Sequence, residues 1–220
     1  MIRPLALSLS FLLLAGCDGG APAAEQPAAE AAPSNTASAP PPAPAPLAEI
    51  VRVRLETAAG PIILALDGRH APVTTANFLA YVDQHRFDGT SFYRAAPTPG
   101  APGSGFIQGG IHRNYRRMLA PIAHEPTSKT GLRHTAGAIS MARAEPGTAA
   151  GEFFITASAI PSMDADSGDP GFAAFGRVTE GMDVVRKIMA APTIPNAGRG
   201  PMKGQMIAEP VKIVSAKRVP

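Results

Sequence analysis

From Val51 the chain alternates, with Val51, Val53 and Leu55 apolar and Arg52 and Arg54 charged between them. A period of two is the pattern of a strand with one face in a core and the other in water. Ala59-Gly60-Pro61 interrupts it, and Ile62–Leu66 follows as a mostly apolar run, so the two segments predict a hairpin. Pro72 stands where a helix can begin, and Phe78, Leu79 and Val82 recur after it at helical spacing. Phe87-Asp88-Gly89-Thr90 ends that helix and turns the chain into a strand over Ser91–Arg94. Further on, two short apolar runs, Ala138–Ala142 and Phe153–Ala157, flank a stretch rich in Gly, Pro, Ala and charge and read as strands. Gly181–Ala190 predicts a second helix burying Val184, Val185, Ile188 and Met189, and Val211–Ala216 a last strand with Lys217 and Arg218 behind it. Many short strands with two helices predict a mainly β domain, an antiparallel barrel. Alternation also sends Phe154 to the face opposite Phe153 and Ile155. One ring can then fill a core while the other is offered to a ligand, although on the pattern alone two core rings are the commoner outcome.

The first residues follow a different pattern. Met1–Gly16 carries a single charge, Arg3, then the apolar run Leu5–Leu14, then small residues. That is the layout of a secretory signal, shorter than the roughly 20 residues a membrane-spanning helix needs. Leu14-Ala15-Gly16-Cys17 resembles a bacterial lipobox, which implies that Cys17 becomes the lipid-modified first residue of the mature chain. The expected location is the bacterial envelope, lipid-anchored and facing the periplasm, with Asp18 favouring the inner membrane. Cys17 is the only cysteine, so no disulfide or cysteine-based metal site can form within one chain. Between Cys17 and Leu47, 11 of the residues are Ala and 8 are Pro, a composition that cannot bury enough apolar surface to fold. It reads as a semi-rigid tether reaching between roughly 30 Å as a coil and about 95 Å as extended polyproline.

Residues 48–220 are enough for one domain with a sizeable core. They hold 19 basic and 14 acidic residues, scattered rather than in blocks, which makes no case for nucleic acid. None of the five histidines falls in a compact metal-ligand spacing, and surface or hydrogen-bonded structural roles suit them better. Nucleophile-elbow and phosphate-loop patterns are both missed, so the residues call for no metal and no cofactor.

Four segments in order carry a family resemblance. They are Ala71-Pro-Val-Thr-Thr-Ala-Asn-Phe78; Phe92-Tyr93-Arg94 with Phe106-Ile-Gln-Gly-Gly110; Ser140-Met-Ala142 with Gly151-Glu-Phe-Phe-Ile-Thr156; and Phe172-Ala-Ala-Phe-Gly-Arg-Val178. Together they resemble the cyclophilin-type peptidyl-prolyl isomerases. The resemblance implies a closed eight-stranded antiparallel barrel with a helix over each end, acting as a monomer on proline-containing unfolded or flexible polypeptides. It matches Arg94 to the catalytic arginine and Gln108 to the glutamine that positions it and bonds substrate backbone. Phe154 matches the aromatic wall of the proline pocket, Met141 and Ala142 its rim, Met163 its apolar side, and Phe172 a position often His or Tyr. Phe106 matches either the second pocket aromatic or its neighbour facing another way, because Ala95–Ile107 is longer than the common pattern. The added residues, rich in Pro and Gly, read as a flexible loop beside the site. Arg143 and Glu152 stand where Asn and Gln are common, and either pair with each other, bias the substrate or face solvent. Cyclosporin-sensitive members carry a tryptophan just before the pair matched by Met163-Asp164, where this chain has Ser162 and no tryptophan anywhere. Two other functions fit the same residues: a module that binds proline peptides without turnover, and a holdase for envelope proteins.

Overall fold

A computed structural model describes residues 48–220, except 102 and 113. The signal segment, Cys17 and the tether lie outside the described residues. Strands β1 (Ile50–Thr57) and β2 (Gly60–Asp67) form the hairpin that the alternation predicts, with Val53 facing Leu64 and Leu55 facing Ile62. Helix α1 (Pro72–Asp83) follows, then β3 (Ser91–Pro97), β4 (Gly105–Gly110), a one-turn helix α2 (Thr127–Thr130), β5 (Ala138–Met141) and β6 (Glu152–Thr156). The chain ends with β7 (Ala173–Glu180), α3 (Met182–Met189), the two-residue β8 (Thr193–Ile194) and β9 (Met206–Val219). The sheet runs β1-β2-β7-β5-β6-β4-β3-β9 and closes through β9 back onto β1, giving the eight-stranded antiparallel barrel, with β8 paired to β9 outside the ring. Closure leaves no unpaired edge within the ring. The two expected helices are α1 and α3; among the described residues a third, α2, joins them, too short to show a period in the sequence.

The barrel interior is aromatic. Phe153 from β6 meets Phe78 of α1 at 5.3 Å between centroids, Phe87 at 5.3 Å and Phe92 of β3 at 5.7 Å, all edge-on. Such edge-to-face pairs set ring edges against ring faces and add to the burial each ring gains. The first turn of α1 has no side-chain cap of its own. Instead the buried Glu125 carboxylate accepts from the Val73 and Thr74 N–H groups, at 3.2 and 2.7 Å, and from the Thr74 hydroxyl at 2.7 Å. A negative charge there meets the donors that a helix start leaves unpaired. On the other helix, Gly181 opens α3 at φ 90, and a Cβ there would stand 2.4 Å from the Pro61 carbonyl, so only glycine fits.

Two sequence expectations need correction. The stretch taken as a loop beside the site is a loop with strand at both ends: β3 continues through Pro97, β4 begins at Gly105, and Ala96 pairs with Phe106. The connection between them, over 98–104, is closed by Thr98 N–H donating to Ser104 O at 2.9 Å. The added residues therefore lengthen a hairpin. The last strand likewise extends well beyond Val211–Ala216, because β9 pairs in turn with β8, β3 and β1.

Candidate active site

The site begins at an irregularity in β3. Phe92 pairs with Gly109 and Arg94 with Gln108, so Tyr93 is an extra residue, a bulge. Regular alternation would send Tyr93 and Arg94 to opposite faces; here both reach the Gln108 side chain. Arg94 Nη1 donates to Gln108 Oε1 at 2.8 Å, and Gln108 Nε2 donates to the Tyr93 hydroxyl at 2.8 Å. The Tyr93 hydroxyl donates to Glu152 Oε2 at 2.7 Å, and on the far side Arg94 Nε donates to Gln205 Oε1 at 2.8 Å. Burial, reinforced by the charge of Glu152, pushes the Tyr93 hydroxyl far above its ordinary range, so it keeps its proton. Burial also lowers the pKa of Arg94, with Tyr93 acting in the opposite sense. A guanidinium has so high a starting value that it remains a cation. Its Cζ lies 5.0 Å from the centroid of the Phe106 ring, within cation–π range.

Beside the guanidinium lies a cage of rings. Gln108 pairs with Phe154 across β4 and β6, and Phe106, two residues before Gln108, shares its face. Phe106 lies 5.1 Å from Phe154 at a tilt of 52°, and Phe172 meets Phe154 edge-on at 5.5 Å. Phe106 thus faces Phe154 and the Arg94 guanidinium, and Ile107 is the neighbour that points into the core. Behind Phe154 the His134 ring stacks at 5.7 Å. His134 is itself held: Nδ1 lies 2.7 Å from Asp164 Oδ1 and Nε2 lies 2.9 Å from Ser140 Oγ. A carboxylate only accepts, so Nδ1 carries the proton and Nε2 accepts from the serine hydroxyl. Burial lowers the pKa of His134, opposed by Asp164. Arg143 donates from Nε and Nη2 to Gly171 O, and its Cζ sits 5.0 Å over Phe172, fixing that ring at the cage.

The model of the family described as cyclophilin type peptidyl-prolyl cis-trans isomerase matches residues 52–218. The chain belongs to that family. It is a cyclophilin-type peptidyl-prolyl cis-trans isomerase, similar to several named ones. It is 38% identical to the isomerase cyp18 of Streptomyces antibioticus over 169 residues, covering 75% of this chain and 96% of that one. With the isomerase of Acinetobacter baylyi it shares 34% over 166 residues, 75% of this chain and 84% of the relative. The fold is similar to that of a solved cyclophilin-type isomerase of Cryptosporidium parvum, with a TM-score of 0.62 and 21% identity over 78% of this chain and 98% of that one. The Cryptosporidium protein has also been solved in the presence of the dipeptide Ala-Pro.

In this cyclophilin the structure brings Arg94, Phe106, Gln108, Phe154 and Phe172 together. Met163 is tied to them through its carbonyl, which accepts from Phe172 N–H at 2.9 Å, and Ala142 sits half-buried with its N–H donating to Glu152 O. Met141 is a correction: its partner across β5 and β6 is Phe153, and its side chain belongs to the barrel interior, not to the rim. The period of β5 explains it, because Met141 shares a face with Ile139 while Ser140 shares one with Phe154. Arg143 takes up the Gly171 carbonyl and the Phe172 ring, and Glu152 takes up Tyr93, so both are built into the site's frame. Sequence reasoning missed Tyr93, Gln205, His134 and Asp164 as members of the site. Tyr93 lay next to Arg94 in a quoted motif, but regular alternation argued against it. Gln205 carried no local signal. A cleft of about 290 Å³ lined by Ser91, Gly110, His112 and Arg117 borders the site, since the His112 ring stacks on Tyr93 at 4.2 Å.

Proposed function

We propose that this isomerase turns X–Pro bonds in unfolded or flexible envelope polypeptides, with the proline ring received by the cage of Phe106, Phe154, Met163 and Phe172. The barrier to rotation is about 18–20 kcal/mol because the amide nitrogen shares its lone pair with the carbonyl. Rotation ends that sharing and leaves the prolyl nitrogen able to accept a hydrogen bond. A guanidinium in place beforehand donates to it only in the twisted state, which lowers the barrier without tightening the ground state. The observation that carries this reading is Arg94 itself. Its Nε and Nη1 are committed to Gln205 and Gln108, and among the described residues nothing takes up Nη2, at the edge of an apolar cage. A charge-assisted bond of roughly 1.5–3 kcal/mol accounts for about ten- to a hundredfold in rate, so the apolar cage, which disfavours the more polar planar amide, supplies the rest.

A protease-coupled isomerisation assay tests it. Arg94→Ala is expected to lose most turnover while peptide affinity stays within a few-fold. An equal loss of affinity, with turnover of bound peptide unchanged, would reduce Arg94 to a substrate holder. Saturable peptide binding by the unaltered chain with no faster conversion would favour a binding module, and suppressed aggregation of a proline-free client a holdase. The envelope location rests on the segment Met1–Cys17. Lipid on Cys17 is expected to hold the chain in the membrane fraction, firmly if several acyl chains are present. Soluble unaltered protein carrying no lipid at Cys17 would overturn that part.

A further inference from the structure

We propose that Glu152 is a positioning residue for the isomerase reaction, acting through Tyr93 to fix which way the Gln108 amide points and, with it, Arg94. This rests on the reading of Arg94 as the catalytic group.

A glutamine amide has two ends of nearly equal shape, one donating and one accepting. Arg94 has only donors, so Gln108 serves it only with Oε1 turned toward Nη1. In that orientation Nε2 must find an acceptor, and the acceptor it finds is the Tyr93 hydroxyl. A hydroxyl can donate or accept, and its other partner decides which. Glu152 decides it here: a carboxylate only accepts, so the Tyr93 proton goes to Oε2 at 2.7 Å and an oxygen lone pair faces Gln108. Replace the carboxylate with a group that can donate and the hydroxyl is free to turn. The amide then flips with no loss on that side and sets Nε2 against Nη1, two donors facing each other.

The surroundings are shaped for this chain of bonds. Gly110 has φ 137, and a Cβ on it would stand 2.2 Å from Gly151 O and 2.9 Å from Glu152 Oε2. The carboxylate fits because residue 110 has no side chain. The His112 ring stacks on the Tyr93 ring, 9° from parallel, and fixes the plane in which the hydroxyl is presented. Tyr93 and Gln108 are both buried, which limits competition from water for the bond between them. The high pKa of Tyr93 keeps the proton on the hydroxyl, where the relay needs it.

The test compares the unaltered protein with Tyr93→Phe, Glu152→Gln, the double variant and Arg94→Ala. It measures turnover of bound peptide, the Kd of a proline peptide and thermal stability. Tyr93→Phe and Glu152→Gln are each expected to slow turnover by about tenfold, the scale of one misdirected charge-assisted bond, with Kd changed less than about twofold. The double variant is expected to be no slower than the worse single one, because both changes break one relay. Glu152→Asp, which keeps a purely accepting group, is expected to recover part of the rate. Losses that multiply in the double variant, losses that fall in Kd alone, or full activity in Glu152→Gln would overturn the inference. If Glu152→Gln melts early, Tyr93→Phe, which removes one oxygen from the same relay, decides it. Turnover unaffected by Arg94→Ala would refute the reading of Arg94 instead.

Discussion

Phe153 and Phe154 are neighbours on β6 that serve opposite sides of the barrel wall. Phe153 meets Phe78, Phe87 and Phe92 inside, while Phe154 meets Phe106, Phe172 and His134 at the site. Both rings are buried, so exposure does not separate them, but their partners do. Phe153→Ala is expected to cost about 3–5 kcal/mol of stability, the range for deleting a core ring. Phe154→Ala is expected to lose isomerase activity at a smaller cost in stability. Denaturant unfolding and the coupled assay on both variants check this; equal stability losses would mean that the site rings are as structural as the core rings.

Glu125 ties the start of α1 to a segment some fifty residues away. Glu125→Gln keeps the shape but loses the charge and turns one accepting oxygen into a donor facing N–H groups. A loss of about 1–3 kcal/mol is expected, with kcat/KM unchanged at temperatures where the variant is folded. Unaltered unfolding midpoints would show that water replaces the carboxylate without loss.

His134 gives the domain a pH dependence of defined sign. Burial holds its folded pKa below the ordinary value of 6.5, so between those two values the unfolded chain binds more protons. Its contribution is complete above about pH 7.5 and is lost as pH falls through 6.5 toward the folded value, at up to about 1.4 kcal/mol per pH unit. Asp164, 2.7 Å away, and Arg133, 3.6 Å from Asp164 on its outer side, are the charged groups facing the ring, and Ser140 is its neutral partner. Asp67 and Asp166, whose pKa values lie below 3.8, act only at lower pH. Stability measured from pH 8 to 4.5 is expected to fall for the unaltered protein and to fall less for His134→Gln. Identical slopes would place the titrating group elsewhere.

Ser162 lies exposed in the turn Pro161–Met163 that leads into Asp164 and the carbonyl holding Phe172. Without the indole that cyclosporin-sensitive relatives carry there, a contact and a hydrogen bond worth roughly 1–3 kcal/mol are missing, or about five- to a hundredfold in affinity. Activity is therefore expected to persist at cyclosporin concentrations that silence a sensitive relative, and Ser162→Trp to restore part of the inhibition. Tight inhibition of the unaltered chain would show that the serine does not occupy the indole's place.

Short-range pattern determined much of this protein. The alternation of Val51, Val53 and Leu55, the helical spacing after Pro72 and the opposite facing of Phe153 and Phe154 follow from periods a few residues long, and the structure keeps all three. The family motifs carried the barrel and the convergence of Arg94, Gln108 and the site rings. Met141 shows the same rule misapplied, since its period with Ile139 already placed it inside. What only the tertiary structure decided are pairings between distant residues and departures from regular geometry. The bulge at Tyr93 breaks the period of two, so no alternation can place that hydroxyl beside Gln108. Gln205 reaches Arg94 and Glu125 reaches α1 because barrel closure brings separate segments together. A hydrogen bond depends on which donor and acceptor meet within about 3 Å, and local propensity carries no record of that meeting.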